Sequence, residues 1–548
     1  MFSSARRRFR AYGRSSRGNV AIIFALSIIP ILLLMGGGID LARHSDYHGR
    51  LANATDAAAL ALARQGAGLS DAEMIDFIRD RISAMDVGAD PDRLVVKGYW
   101  VVRTKNGYVV NVDAEVKTTF LAIASLTGYD LSSLNAGVHV EVVSSSNRVE
   151  LALVLDNTGS MDQRDTGKGT RMDGVKAAAK SLVETLMKPG LEDPDFIKIA
   201  LVPFEGSVNI QNAAFKWDWI DKGSYESGTG RWYGRARYNG INFDKLNNKP
   251  VSHFWLHEQL RKAIGVDWAG CVEARAEPHD LLDTPPSQGN PDTLFVQAFW
   301  PDEPDGGGMS ASAQQHDGYW NNYLKDQSTA TSDLARQKSL AKYQTVSAWR
   351  KATARPIMSG PNRGCPQPIV PLTTDKAGLL AAINTMVPTP AMGTFIPTGL
   401  VWGWHVVSPG EPFTEGVAQG QKHFEDTVKA VVLLTDGENS STADGRTINQ
   451  STYSAYNYVS NGRLGSYRNA NATLDTKTAT LCGNVKADGV RVYTITFGNI
   501  AEATKTLMRN CASVDKGQQL YYHAPSDADL ADAFAAIGDD LAEIRIAR

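Results

Sequence analysis

The stretch LALVLDNTGSM, residues 151–161, decides the fold. Its apolar run is typical of a strand buried on both faces, and it ends at Asp156. Thr158 and Ser160 follow at two-residue spacing. Side chains at positions i, i+2 and i+4 of an extended segment point the same way, so these three oxygens can converge on one hard cation. The stretch therefore predicts a buried strand with a ligand site at its carboxyl end.

Two more segments carry oxygen-bearing side chains of the same kind. The apolar run AVVLLT, residues 430–435, ends at Asp436, and Thr394 lies in the chain between the two runs. Few charges and oxygen ligands alone suit Mg²⁺, which keeps several of its waters. The alternative is a turn whose Asp and Ser only cap a helix that begins near Asp173. Capping accounts for one such residue but not for five in this order.

Asp156, Thr158, Ser160, Thr394 and Asp436 resemble, position by position, the metal-ion-dependent adhesion site of von Willebrand factor A-type domains. That pattern is D-x-[S/T]-x-S, then a distant Thr, then a distant Asp. The resemblance implies Mg²⁺, or another divalent cation such as Mn²⁺ or Ca²⁺, held by the hydroxyls and by water-bridged carboxylates. It also implies one coordination position open to an Asp or Glu carboxylate of a protein partner.

The pattern beyond residue 147 alternates apolar strands with helices. Such alternation indicates an α/β fold with a doubly wound, mostly parallel sheet, whose ligands bind at the carboxyl ends of the strands. The predicted strands are 150–155, 197–204, 429–435 and 490–497, and the predicted helices are 173–187, 376–386, 473–487 and 526–544.

A large insertion, at about 205–365, interrupts this alternation and holds eight of the eleven Trp residues. A structureless loop of this length is improbable in a compact domain, so we expect a folded subdomain. Its aromatic residues have two interpretations. They form a small core, which we favour, or they form a recognition surface.

The amino terminus carries the signals of a membrane anchor. Six arginines fall within residues 1–18, and the stretch from Val20 to Ile39 has no charge over twenty residues. That length crosses a hydrocarbon core, and the positive-inside rule keeps the arginines cytoplasmic. A cleaved secretion signal is the alternative, although its apolar core is usually shorter. We expect residues 1–18 as a cytoplasmic tail and 19–41 as a transmembrane helix.

Residues 42–146 separate this span from the α/β domain. Leu51, Ala54, Ala58 and Leu62 share one face of a predicted helix within the helical region 42–90. The region 91–146 is predicted as a β-rich spacer, with a hairpin turn at residues 106–107, a short helix at 120–126 and a strand at 138–143. The polar residues 144–147 form the expected joint to the domain 147–548.

The amino-terminal pattern has a second resemblance. Residues 17–21 (RGNVA), the apolar span, Asp40 and residues 53–61 (NATDAAALA) are similar to the start of TadE/TadG-like pilus-assembly proteins. This resemblance implies a protein of the bacterial inner membrane whose bulk is periplasmic or at the cell surface. It also implies a partner among pilus or envelope components.

The four cysteines and the net charge bear on the compartment of the protein and on its partners. An even cysteine count in an exported region predicts disulfides, and sequence proximity favours Cys271–Cys365 and Cys482–Cys511 among three connectivities. Two pairs of free thiols are the alternative. The formal charge of −3 gives no general affinity for nucleic acid.

We therefore expect a membrane-anchored, metal-dependent binding protein of Tad/Flp-type pilus assembly, and not an enzyme. One alternative is a metal-dependent adhesin for host or matrix ligands. Another is a phosphoryl-transfer enzyme with Asp156 as the nucleophile, because residues 156–160 (DNTGS) resemble the phosphorylation loop of P-type ATPases. That chemistry needs a lysine where Asn157 stands, and it needs paired acids to hold Mg²⁺.

Overall fold

The computed structural model describes most of the chain in stretches separated by gaps. It describes residues 19–65, 69–85, 92–104, 107–124, 128, 130–143, 148–187, 196–305, 321–326, 330–346, 359–389, 392–421 and 423–544. The basic segment 1–18, Asn106 of the predicted turn and the polar joint 144–147 lie outside these residues. The chain divides into two units, a smaller one that runs to residue 146 and a larger one of residues 147–544.

The smaller unit combines helices with a four-stranded antiparallel sheet. One strand, Gly107–Lys117, pairs with each of the other three strands. The elements in chain order are α1 Asn19–Gln65, α2 Asp71–Ala84, β1 Leu94–Thr104, β2 Gly107–Lys117, α3 Leu121–Ala124, β3 Ser133–Asn135 and β4 Val138–Val143.

Helix α1 contributes both the apolar span and part of the core of this unit. Its 47 residues extend over about 70 Å at the rise of an α-helix. Among the described residues, one helical stretch, Leu26–Ala63, is long and apolar enough to cross a membrane by length and composition. Further along the helix, Leu51, Ala54, Ala58 and Leu62 are buried, which confirms the predicted face. These side chains pack with apolar residues of α2 and β2.

The larger unit is built on a six-stranded mixed sheet. Its strands in chain order are β5 Arg148–Asp156, β6 Ile197–Phe204, β7 Val370–Thr373, β8 Thr427–Thr435, β9 Arg491–Phe497 and β10 Tyr521–Ala524. Their order in the sheet is β7-β6-β5-β8-β9-β10, and every neighbouring pair is parallel except β7 with β6. The four strands predicted from the sequence are present, whereas β7 and β10 at the two edges were not predicted.

Helices cover both faces of this sheet. The main helices in chain order are α4 Arg171–Leu186, α5 His253–Ile264, α6 Lys376–Thr385, α7 Ile396–Val407, α8 Ala470–Ala487, α9 Glu502–Cys511 and α10 Asp527–Ile544. The helices α5, α7 and α9 were not predicted. Leu151, Leu153 and Leu155 of β5 share a core with α4, α6 and α10, while Ala152 and Val154 share another with α7, α8 and α9. Burial on both sides explains why the strand is apolar throughout.

The insertion between β6 and β7 folds around α5 and an aromatic core. Trp219, Trp255, Trp268 and Trp300 are buried, as the core interpretation expects, whereas Trp217 is exposed. Two other Trp residues, at 320 and 349, lie outside the described residues. The short strands are Val208–Asn209, Ser224–Glu226, Arg231–Tyr233, Lys245–Leu246, Lys249–Pro250 and Cys271–Val272, and the short helices are Asp333–Lys338 and Ala341–Gln344.

Both predicted disulfides are present. Cys271–Cys365 closes the insertion across a separation of 94 residues, and Cys482–Cys511 joins α8 to α9 across 29 residues. The second bridge therefore connects the two helices that flank β9 in the sequence.

Candidate metal centre

Asp156 is the last residue of β5, and its side chain is fully buried. Its Oδ1 accepts a hydrogen bond from the backbone N–H of Thr158 at 2.9 Å. Its Oδ2 accepts one from the hydroxyl of Thr435 at 2.8 Å. Because Thr435 ends the neighbouring strand β8, Asp156 connects the carboxyl ends of two adjacent parallel strands.

A chain of hydroxyls leads from Thr158 to Asp436. The hydroxyl of Ser160 donates to Oδ1 of Asp436 at 2.7 Å, and its oxygen lies 2.9 Å from Oγ1 of Thr158. Since the proton of Ser160 is used on the carboxylate, Thr158 is the donor in the second bond. Both hydroxyl oxygens keep a free lone pair in this arrangement. Ser160 is half-buried, whereas Thr158 and Asp436 are buried, so Ser160 is the most solvent-accessible of these three residues.

Arg171 supplies a fixed positive charge beside this chain. It is the first residue of α4, and its Nη1 donates to Oδ2 of Asp436 at 2.9 Å. On its other side, Nε donates to Oδ1 of Asp165 at 2.7 Å, and Nη2 donates to Oδ2 of the same carboxylate. Gly498, with φ of +81°, makes room for the guanidinium, because a Cβ there would lie 3.0 Å from its Cζ.

Thr394 lies next to Gly437, the residue that follows Asp436. A Cβ on Gly437 would lie 3.6 Å from Oγ1 of Thr394. The carbonyl of Thr394 accepts the backbone N–H of Ser440 at 2.9 Å, which holds the two loops together. Gly393 has φ of +88°, and a Cβ there would lie 2.1 Å from the Ser440 carbonyl oxygen. The close approach of these loops therefore requires glycine before Thr394.

Burial makes ionisation of the Asp156 and Asp436 carboxyl groups less favourable. Burial and the nearby charge of Asp436 raise the pKa of Asp156 to about 7, although Thr158 and Thr435 donate hydrogen bonds that lower it. Burial also raises the pKa of Asp436, against the lowering effect of Ser160 and Arg171. A positive charge next to Asp156 and Asp436 would stabilise the ionised form of both carboxylates.

The residues present fit a hard divalent cation. The donor set consists of hydroxyl and carboxylate oxygens, which Mg²⁺ prefers, and it contains no nitrogen or sulfur. The structure joins Asp156, Thr158, Ser160 and Asp436 through hydrogen bonds that also include Thr435. Thr394 has no hydrogen bond to this group among the described contacts and lies beside Gly437, the residue after Asp436. In the described stretches, the candidate centre included, no group of three or more His, Cys, Asp or Glu side chains could hold a metal ion, so the proposed donors are two carboxylates and three hydroxyls.

Helix α4 has an N-terminal cap of its own, which does not include any of the candidate metal ligands. The hydroxyl of Thr170 accepts the N–H of Asp173, and the Asp173 carboxylate accepts the N–H of Thr170. This reciprocal pair is a capping box. Asp156 and Ser160 are therefore not needed as caps for that helix.

Sequence reasoning missed Arg171, Asp165 and Thr435 as members of this group. Thr435 stands directly before Asp436, so its place at the strand end was readable from the sequence. Arg171 has no local signal of its role, because its partner Asp436 lies 265 residues away.

The amino terminus matches one protein family. The model of the Tad family, described as Flp pilus-assembly TadE/G-like, matches residues 18–65. The match covers part of the smaller unit and does not extend into the larger one. No curated protein is significantly similar to the chain.

Solved structures similar to this chain include pilus proteins. The SpaC pilus adhesin of Lactobacillus rhamnosus GG is 11% identical with a TM-score of 0.30, and the match covers 82% of this chain and 35% of that chain. The PilB minor pilin of Streptococcus sanguinis is 11% identical with a TM-score of 0.31, over 83% and 79% of the two chains.

A third solved structure is the proximal thread matrix protein 1 of the mussel byssus. It is 12% identical with a TM-score of 0.27, over 73% of this chain and 47% of that chain. The chain thus spans about a third of the SpaC adhesin and about half of the mussel protein. TM-scores this low do not establish a shared fold.

Proposed function

We propose that this protein is a membrane-anchored component of Tad/Flp-type pilus assembly that binds a protein partner through a divalent cation. The match to the TadE/G-like family model and the apolar helix α1 support the pilus role and the anchor. The anchor would lie in a bacterial inner membrane, with the basic residues 1–18 cytoplasmic and the rest of the chain exported. The two disulfides are in keeping with an oxidising compartment.

The larger unit is, in this proposal, a doubly wound von Willebrand A-type domain. Its strand order reverses direction at β5, with β6 on one side and β8 on the other. In open α/β sheets, ligands bind outside the carboxyl ends of the strands at such a reversal. Asp156 ends β5 and Asp436 follows β8, so the candidate residues lie at that position.

One observation carries the binding proposal. Four of the five predicted ligands, Asp156, Thr158, Ser160 and Asp436, form one hydrogen-bonded group at the rim of the sheet. Thr158, Ser160 and Thr394 would hold Mg²⁺, or Mn²⁺ or Ca²⁺, through their hydroxyls, with Asp156 and Asp436 acting through water. The cation, when bound, supplies a Lewis-acidic position for an incoming carboxylate oxygen.

The charges of the group make a cation necessary for an acidic partner. Asp156, Asp165 and Asp436 contribute three negative charges and Arg171 one positive charge, so the ionised group carries −2 before any cation binds. This charge repels an anionic partner, and a divalent cation neutralises it. An Asp or Glu carboxylate of the partner would then bind to the cation itself, and the half-buried Ser160 marks the side from which it would approach.

The geometry disfavours the phosphoryl-transfer alternative. A nucleophilic aspartate must present an oxygen to the phosphorus. Asp156 has no solvent-exposed surface, and both of its oxygens accept hydrogen bonds from its own chain. Its position suits orientation of a site more than covalent chemistry.

Titration with the cation alone is the first test. The full chain in lipid nanodiscs is titrated with Mg²⁺ and Mn²⁺ by calorimetry, and Asp156→Asn is compared with Asp218→Asn in the exposed part of the insertion. We expect one equivalent to bind to the wild type and to Asp218→Asn, and at least tenfold weaker binding to Asp156→Asn. Equal affinity in all three proteins would contradict the metal site.

Capture of a partner is the second test. Envelope proteins are solubilised from membranes of the bacterium that produces this protein. They are then passed over the immobilised chain in the presence of Mg²⁺ or of EDTA. We expect pilus or envelope components to be retained in Mg²⁺ and lost in EDTA and with Asp156→Asn. Cation binding without any Mg²⁺-dependent capture would refute recognition at this site and leave a structural metal.

A further inference from the structure

The short helix α3 lies against the apolar end of α1 in the smaller unit. A Cβ on Gly36 would lie 2.3 Å from Cγ of Phe120, and a Cβ on Gly37 would lie 3.2 Å from Cδ2 of Leu121. The two glycines therefore form a notch in which these side chains approach the helix backbone. An alanine at residue 36 would push Phe120 away.

This contact places α3 at the edge of a membrane, provided that α1 is the proposed anchor. The charge-free stretch 20–39 spans about 30 Å, which equals the thickness of the hydrocarbon core. Gly36 and Gly37 belong to the last turn of that stretch. Phe120 and Leu121 are consequently held at the depth where the helix leaves the hydrocarbon.

Asp40 satisfies the backbone at the start of α3. Its carboxylate is buried and accepts the N–H groups of Thr119, Phe120 and Leu121 at 2.8–3.2 Å. A segment that enters the lipid interface needs such internal partners, because water no longer serves its backbone. Asp40 provides them from the same helix that would anchor the chain.

Apolar side chains are exposed on both sides of this contact. Ile123 of α3 is 53% exposed, and Leu34 and Met35 of α1 are 77% and 67% exposed. The sequence from Thr118 to Gly128 contains no charged residue. A helix that exposes an apolar side chain, within a charge-free stretch of sequence and next to an apolar span, has the chemistry of a bilayer contact.

We propose that α3 is a membrane-surface anchor whose partner is the lipid bilayer itself. Phe120, Leu121 and Ile123 rest in the boundary between headgroups and acyl chains, beside the end of the span. The sheet of the smaller unit is then fixed at the membrane surface by two points, α1 and α3.

A depth measurement on single-cysteine variants tests this proposal. All four native cysteines form disulfides, so one added cysteine is the unique thiol for an environment-sensitive fluorophore. The positions are Ile123→Cys, Ile31→Cys within the span, and Val102→Cys on β1 as an equally exposed control, at 53%, 51% and 55% exposure. The full chain is reconstituted in phosphatidylcholine–phosphatidylglycerol vesicles with or without brominated acyl chains.

We expect bromine quenching of the label at residues 31 and 123, at least threefold stronger than at residue 102. Quenching at 31 with none at 123 would overturn the surface anchor and leave the span intact. No quenching at 31 would refute the proposed membrane anchoring, and with it this inference. A label at 123 that is shielded from aqueous iodide but not quenched by bromine would show a protein contact instead, which also overturns it.

Discussion

The interior of the insertion and the rim of the sheet both contain buried carboxylates beside a cationic side chain. Only the interior of the insertion is closed to solvent. In the insertion, Asp302 accepts two backbone N–H groups and a bond from Lys342 at 2.8 Å, and both side chains are inaccessible to solvent. At the rim, Asp436 is bound by Arg171 on one oxygen and by the half-buried Ser160 on the other.

This difference separates two uses of a buried acid. A carboxylate that its own chain satisfies completely contributes to the fold, and removal of its partner leaves an uncompensated charge. A carboxylate whose hydroxyl neighbours keep free lone pairs near solvent can take part in binding. Changes in the insertion should therefore alter stability, while changes at the rim should alter ligand response.

The largest expected effect concerns the covalent closure of the insertion. Loss of Cys271–Cys365, by paired Ser substitutions, should lower the free energy of unfolding by about 4–5 kcal/mol on loop entropy alone. The Cys482–Cys511 bridge closes a shorter loop, so paired Ser substitutions there should lower the free energy of unfolding by about 3.5 kcal/mol. Urea unfolding followed by Trp fluorescence measures both. A larger loss from the shorter loop would contradict the entropic argument.

Breaking the buried ion pair should have the next largest effect. Lys342→Met leaves Asp302 buried without its cation and should destabilise the larger unit by about 3–5 kcal/mol. The matched control is Lys249→Met, which removes an exposed pair with Glu226 and should cost less than about 1 kcal/mol. Similar urea midpoints for the two variants would show that the insertion interior is not closed in this way.

The pH dependence of the insertion should reveal two opposing effects. Burial lowers the pKa of His253 to about 4 and that of His257 to about 3, so both are neutral in the fold. Their contribution to stability is present above a pH of about 6.5 and is lost as the pH falls through the folded values. Burial raises the pKa of Glu273 to about 7, and its contribution is present below about 4.5 and is lost as the pH rises through 7.

In the Glu273→Gln variant, the loss of stability caused by protonation of His253 and His257 should no longer be offset by Glu273. On moving from pH 7 to pH 5, the variant should lose roughly 2 kcal/mol more stability than the wild type, because the compensating carboxyl group is gone. Urea unfolding at the two pH values measures the difference, with the exposed Glu226→Gln as the control. Parallel pH profiles for Glu273→Gln and wild type would refute the assignment.

The same contrast explains which parts of the fold the sequence could predict. Four strands of the sheet are long apolar runs and were predicted within a few residues, whereas the edge strands β7 and β10 have four residues each and little apolar pattern. Helix α7 escaped prediction because all twelve of its residues are buried, so it has no polar face to reveal a helical period.

The candidate centre was partly predictable for a related reason. Asp156, Thr158 and Ser160 lie close in the sequence, and their spacing predicted a shared direction for an extended segment. The segment is not extended as far as Ser160, because residues Gly159–Asp162 form a 3-10 helix, so their hydrogen-bonded arrangement has a different local geometry from the predicted one. Asp436 and Thr394 were predicted from the resemblance of the whole pattern. Arg171 acts through a contact formed only when α4 packs near β8, so no local pattern could indicate it. The position of α3 against Gly36 is likewise a tertiary contact.

The smallest effect on stability, and the sharpest on ligand response, should come from Ser160→Ala. Ser160 is half-buried, so water can replace its hydrogen bond to Asp436, and the cost without metal should be about 1 kcal/mol. Saturating Mg²⁺, at a hundredfold excess over its dissociation constant, should stabilise the wild type by about 2.7 kcal/mol and the variant by much less. Thr476→Ala, on the exposed face of α8, is the control and should keep the Mg²⁺ response. Thermal unfolding in Mg²⁺ and in EDTA measures this response. If Mg²⁺ raised the unfolding midpoint equally in Ser160→Ala and in the wild type, the cation would bind elsewhere. The proposed difference between the rim and the insertion would then be wrong.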